Sequence, residues 1–332
     1  MQELRFRHKI LHDKTDTRFI RYLRKKINWN ARIFYIVGPR GTGKTTLLLQ
    51  HIKKHLDLRT TLFVNADDFY FAENKLFYLA EEFSKYGGTH LFIDEIHKYK
   101  DWSREIKMIY DYLPDLKVGF MGSSILEIYK GPADLSRRVL SYYMHGLSFR
   151  EFLNLKLKKA YPSYTLEQII ENKVKIEEKP MPLFREYLKS GYYPFFLEED
   201  YNERLRNVIN ISLEVDIPSY TDMNISNVRK LRQLLYIVAQ NVPFKPNLTK
   251  IAEQMGIHRN QVGDYIIYLE IAGLINRLLD SNRNQGGLGK VQKIYLNNTN
   301  LIHVIAADRA NTGNERETFF FNQTRPFFDV TS

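Results

Sequence analysis

Gly38-Pro39-Arg40-Gly41-Thr42-Gly43-Lys44-Thr45 fits the pattern G-x-x-x-x-G-K-S/T, the spacing of a phosphate-binding loop. Its glycines let the backbone curl round an anion with no Cβ in the way. Successive N–H groups and the positive end of the following helix then face the phosphates. Lys44 is spaced to reach the β- and γ-phosphates, and Thr45 to offer its hydroxyl to Mg2+. Thr46 completes the run assigned to the nucleotide. The chemistry these residues imply is binding of ATP or ADP with Mg2+.

A second group follows. Leu91-Phe92-Ile93-Asp94-Glu95 is an apolar run ending in two carboxylates. Asp94 at a strand's carboxyl end is expected to hold the Mg2+ shell. Glu95 is expected to orient and deprotonate the attacking water. Gly122-Ser123-Ser124 follows another apolar run, and Ser123, ahead of Ser124, is the candidate to sense the γ-phosphate. Arg137 and Arg138 are candidates to stabilise transition-state charge, in cis or from a neighbouring subunit. Asp67-Asp68 reads as a helix cap. His51 and His55 have metal-ligand spacing, but no third ligand stands near, and zinc is not expected.

These groups need a scaffold. Ile33 to Val37, Thr61 to Val64, His90 to Ile93 and Lys117 to Met121 are short apolar runs of buried-strand type. Helical stretches are expected at Gly43 to His55, Asn74 to Lys85 and Trp102 to Leu113. Strands alternating with helices predict a parallel sheet with helices on both faces. From Ser148 the pattern turns helical, with Phe149 to Lys156 and Leu183 to Lys189 lying between breaks at Pro162, Pro180, Pro182 and Pro194. Farther on, Leu248, Ile251, Ala252 and Met255 form one helical stripe and Val262, Tyr265, Ile266 and Leu269 another, with Gly256 between them. Leu274 to Leu279 and Val291 to Leu296 read as two strands of a wing with a Gly-rich tip. Glu315 to Gln323 reads as a last helix.

The chain has 332 residues and a net charge of +11, with 44% hydrophobic residues and no cysteine. That excludes extensive disorder, disulfides and thiolate chemistry. No apolar run is long enough for a membrane span, and a cytoplasmic protein is expected. Residues 1–32 hold ten Lys or Arg against three acids. Such a segment suits nucleic acid, bound phosphates or plain solvation. The second C-terminal stripe offers His258, Arg259, Asn260 and Gln261, and the wing Arg283 and Lys290, to DNA. Asp264 and Glu270 lie close by, so a packing role or a protein partner is favoured over DNA.

Together Gly38–Thr45, the segment Ile93-Asp94-Glu95-Ile96-His97-Lys98 with Trp102, Gly122-Ser123-Ser124 and Gly146-Leu147-Ser148-Phe149-Arg150-Glu151-Phe152 resemble the AAA+ branch of P-loop ATPases. More narrowly they resemble a family of predicted prokaryotic ATPases with a C-terminal winged helix followed by a region of unknown function. Two stretches depart from that family: Arg40-Gly41-Thr42, where relatives often have two arginines and a hydrophobic residue, and Gly191-Tyr192-Tyr193-Pro194, where they often have two glycines before the proline. Many relatives run on into a nuclease-like domain, so a trimmed chain without support for nuclease activity is expected.

The resemblance implies an α/β fold, a P-loop parallel sheet of AAA+/ASCE type sandwiched by helices, then a helical connector and a winged-helix domain. The expected divisions are a basic helical segment at 1–30, the ATPase domain at 31–147, a connector or lid at 148–240, the winged helix at 241–305 and a C-terminal helix at 306–332. The expected activity is Mg-dependent ATP hydrolysis coupled to the winged helix, with a homo-oligomer or protein partner. The alternatives are an ATP-binding signalling switch with little turnover and an ATP-dependent DNA-binding regulator.

Overall fold

Five short runs become parallel strands: β1 (Ile33–Val37), β2 (Thr61–Asn65), β3 (His90–Asp94), β4 (Lys117–Met121) and β5 (Leu140–Tyr143). They lie in the order β2-β3-β4-β1-β5, and every pairing is parallel. The first four are mostly buried, as strands covered on both faces must be. β5 is the strand that sequence reading lacks. Leu140-Ser141-Tyr142-Tyr143 is exposed or half-buried on an edge and carries no apolar run.

The computed structural model describes residues 1–122, 135, 137–174, 178–221, 223–279 and 291–328. It divides into two units, Met1–His145 and Gly146–Ser332. In the first, α1 (Gln2–Lys14), α2 (Lys44–His55), α3 (Tyr70–Glu73), α4 (Leu76–Lys85) and α5 (Trp102–Tyr112) accompany the sheet. The expected helix at Asn74 thus begins at Leu76, with a short one ahead of it. Asp68 supports that short helix by accepting the Tyr70 N–H (2.9 Å). One core cluster joins Phe34 and Ile36 of β1, Leu47, Leu48 and Ile52 of α2, Phe63 of β2, Phe92 of β3 and Met121 of β4. Gly119 of β4 is needed there, since a Cβ would lie 2.7 Å from the Phe34 ring and 2.8 Å from Phe92. His51 stacks on Trp29 with centroids 3.6 Å apart, which is packing rather than metal chemistry.

Some arginines at the basic start of the chain have partners in this unit, while Lys9, Lys14, Lys25 and Lys26 are exposed. Arg5 donates to the carbonyls of Leu58 and Arg59. Arg7 pairs with Asp68, Arg18 with Asp16, and Arg24 meets His55.

The second unit is mostly helical: α6 (Phe149–Leu157), α7 (Leu166–Ile170), α8 (Pro180–Ser190), α9 (Tyr201–Ile211), α10 (Ile217–Thr221), α11 (Ile225–Gln240), α12 (Leu248–Met255), α13 (Arg259–Ile271), α14 (Thr299–Ile305) and α15 (Thr312–Thr324). Ser148 and Glu151 form a reciprocal capping box that starts α6. Pro180 and Pro182 open α8 instead of breaking a helix, because the first turn has no intrahelical N–H bonds to lose. Gly256 takes the left-handed turn (φ 60) between α12 and α13. β6 (Ile275–Leu279) and β7 (Val291–Leu296) pair antiparallel. The expected tip of that hairpin, with Arg283 and Lys290, lies outside the described residues.

Candidate functional site

The register aligns the carboxyl ends of the strands. Val37 faces Tyr143, Ile36 faces Met121, and Asn65 faces Asp94. The loop after β1 and the acidic pair after β3 therefore open on the same edge, where open α/β sheets bind ligands.

Gly38, Gly41 and Gly43 all have positive φ, at 151, 80 and 92. A Cβ at Gly38 would sit 2.2 Å from the Met144 carbonyl oxygen, so only glycine fits against the exit of β5. Thr42 turns its hydroxyl inward to the Pro39 carbonyl (2.9 Å). Lys44 opens α2 and is buried. Its Nζ donates to the carbonyls of Gly38 (2.8 Å) and Pro39 (2.9 Å), holding the loop in a ring closed by its own lysine. Thr46, next in the helix's first turn, is exposed.

The Thr45 hydroxyl donates to Asp94 Oδ2 (2.7 Å), and the Glu95 N–H donates to Asp94 Oδ1 (2.8 Å). Burial pushes the Asp94 carboxyl above its ordinary range, while the Thr45 hydrogen bond pulls the other way. A cation between Thr45 and Asp94 would relieve that cost. Glu95 sits in left-handed backbone (φ 48), an uncommon conformation for a residue with a side chain. It lies between two basic groups. Arg40 Nη1 is 3.8 Å from Oε1, and His97 Nε2 is 3.3 Å from Oε2.

The remaining candidates are not gathered here. Ser123 and its neighbour Ser124 lie outside the described residues. Arg137 and Arg138 precede β5, which runs parallel to β1, so they stand at the amino edge of the sheet. Arg138 approaches Asp111 (3.8 Å) and lies over the Tyr110 ring, both in the last turn of α5. Arg137 is exposed. The length of β5, about 13 Å at ~3.3 Å per residue, separates them from their own phosphate loop. This placement removes the expected cis role.

Two residues join the site to which the sequence reading gave no role. His97 is one. The other is Arg21, 5% exposed, which donates from Nη1 to the Thr42 carbonyl (2.7 Å) and from Nη2 to the His145 carbonyl (2.8 Å). His97 lies in the same segment as Glu95, but Arg21 has no local signal: it is one arginine in a basic run, and its partners are backbone atoms 21 and 124 residues away.

Residues 30–153 match the family model described as AAA domain. The matched segment holds the five-stranded parallel sheet and the glycine loop. Residues 181–312 match a domain of unknown function (DUF8612). No curated protein matches the chain. Among solved structures it is similar to AMPPCP-bound DnaA from Aquifex aeolicus, at 18% identity over 80% of this chain and 87% of that one, with a TM-score of 0.31. A structure described as the basis for katanin self-assembly matches at 15% identity over 59% and 70% of the two chains, with a TM-score of 0.31. PCH-2 of C. elegans matches at 15% identity over 80% and 67%, with a TM-score of 0.29.

Proposed function

We propose that this protein binds ATP with Mg2+ at the loop Gly38–Thr45 and hydrolyses it. The observation that carries the proposal is the Thr45–Asp94 hydrogen bond (2.7 Å) with Glu95 next in sequence, all on the edge where the glycine loop opens. Thr45 and Asp94 are the residues that would hold Mg2+, a hydroxyl and a carboxylate being the oxygen donors this ion takes. The ion would neutralise charge developing on the transferred phosphoryl group. Lys44, once a phosphate competes with the two loop carbonyls, supplies a fixed positive charge to the β- and γ-oxygens. Glu95 takes the water's proton. Arg137 and Arg138, at the amino edge, serve only a neighbouring copy if they serve the reaction at all.

A low-turnover switch is the second reading, and one observation favours it. Glu95 is shared with Arg40 and His97, contacts that an attacking water would have to compete with for its two oxygens. Steady-state ATP turnover, measured with and without DNA, separates the two.

We read α12, α13 and the β6–β7 hairpin as the winged helix, and the second unit as the part that responds to nucleotide. His258, Arg259 and Asn260 are exposed at the start of α13. Glu270 is committed to Arg277 (2.5 Å), which removes one of the two carboxylates that argued against DNA; Asp264 remains exposed. No described helix is long and apolar enough to cross a membrane. A cytoplasmic setting remains part of this proposal.

A further inference from the structure

We propose that Arg21 is a positioning residue for the phosphate loop: its buried guanidinium fixes the direction of the Thr42–Gly43 peptide and so sets the loop's grip on phosphate. The inference rests on the reading of Gly38–Thr45 as a nucleotide site.

Three observations carry it. Arg21 is almost wholly buried, and its two terminal nitrogens donate to the carbonyls of Thr42 and His145. A trans peptide is planar, with its C=O and N–H pointing in opposite directions. Holding the Thr42 oxygen against the guanidinium therefore turns the Gly43 N–H away from it. Gly43 precedes Lys44 and has a φ of 92, so its own torsions do not fix this peptide. An outside brace is needed, and a forked donor with five N–H groups suits two carbonyls at once.

The brace is itself anchored. Gln50 of α2 donates from Nε2 to the carbonyls of Asp16 (2.7 Å) and Phe19 (2.8 Å). Lys53, one turn on, donates to the carbonyls of Asp13 and Thr15 (3.0 Å each). The helix that the phosphate loop opens thus straps down the segment that carries Arg21. The second carbonyl, His145, follows β5, and the nearby Met144 oxygen is the one that excludes a side chain at Gly38. Both ends of the loop are therefore set against the exit of β5, at Gly38 by close approach and at Thr42 through Arg21. The guanidinium also places a cation behind the loop.

The test is a titration of the full chain with mant-ATP and mant-ADP, with inorganic tripolyphosphate as a competitor that carries no base. Arg21→Gln is expected to raise the dissociation constant of all three by about tenfold, with circular dichroism unchanged. Arg21→Lys, which keeps charge but cannot span both carbonyls, is expected to recover part of the loss. In a Lys44→Ala background Arg21→Gln should add little, because both residues act through one loop. Wild-type affinity in Arg21→Gln, or an effect that multiplies in full with Lys44→Ala, overturns the proposal and leaves Arg21 a structural brace. If Arg21→Gln does not fold, Arg21→Lys carries the test, and unchanged affinity in it overturns the proposal equally. A wild-type protein that binds none of the three probes refutes the nucleotide site itself, and the role of Arg21 with it.

Discussion

The Thr45 hydroxyl donates to Asp94 Oδ2 at 2.7 Å, joining residues 49 apart in the chain. Thr45 lies in the first turn of the helix after β1 and Asp94 ends β3, and β4 lies between those two strands. Only a sheet that brings these carboxyl ends level can make the contact. It is the hinge of the functional reading, because a phosphate loop without an acid beside it binds anions but does not assemble a metal site.

Lys44 is the first residue to change. Lys44→Ala removes the cation that now bridges Gly38 and Pro39. ATP affinity should fall by at least about tenfold, ~1.4 kcal/mol. A fluorescence titration measures it, and an unchanged dissociation constant would count against Gly38–Thr45 as the phosphate site.

Arg138 offers a test of assembly. Its place on Asp111 and Tyr110, at the amino edge of the sheet, leaves a neighbouring subunit's nucleotide as its one catalytic target. Arg138→Ala should then bind ATP as the wild type does and hydrolyse it poorly, and wild-type specific activity should rise with protein concentration. Sedimentation as a strict monomer, with activity independent of concentration, would remove both arginines from the reaction.

The α13 surface predicts the outcome of a DNA titration. Arg259 is exposed, and Glu270 is already paired with Arg277, but the N-terminal arginines are engaged within their own unit. Duplex binding is therefore expected to be weak. Where it occurs, log K should fall by ~0.9 per neutralised phosphate for each log unit of salt. Arg259→Ala should flatten that slope. Tight binding that ignores Arg259 would contradict the assignment of α13 as the contacting helix.

The phosphate loop was legible because its chemistry is local: the glycines, Lys44 and Thr45 are contiguous, and a buried apolar run precedes them. Asp94 and Glu95 were legible for the same reason. β5 was not, since an exposed edge strand of Leu, Ser and Tyr carries no apolar signal. Missing β5 hid the direction of Arg137 and Arg138, which a strand parallel to β1 sends to the wrong edge for a cis role. Arg21 was hidden more deeply. Its partners are backbone carbonyls, and a carbonyl has no letter in a sequence.

Two buried histidines tie stability to pH. Burial, with His12 and Arg5 nearby, lowers the His8 pKa from 6.5 to about 4. Burial, with His55 and other cations, lowers that of His51 to about 3. Both fold neutral, and their Nδ1 or ring packing is spent on the core: His8 accepts the Phe63 N–H at 3.4 Å. The folded pKa lies below the unfolded one, so stability is full above about pH 6.5 and is lost as pH falls toward 4 for His8 and toward 3 for His51. Each site should cost about 1.4 kcal/mol per pH unit within that window. His8→Asn keeps an acceptor and cannot titrate. Between pH 7 and pH 5 its melting temperature should fall less than that of the wild type, and an equal fall would show that His8 does not supply this dependence.

The most direct measurement is steady-state ATP turnover by the wild type beside Glu95→Gln, with nucleotide affinity measured on both. The account predicts that the wild type hydrolyses ATP in the presence of Mg2+. It predicts that Glu95→Gln, which keeps the side chain's shape and removes its basicity, binds ATP with near wild-type affinity and loses most turnover. Normal turnover by Glu95→Gln would contradict the assignment of the base, and a wild type that binds ATP but never turns it over would contradict hydrolysis in favour of the switch.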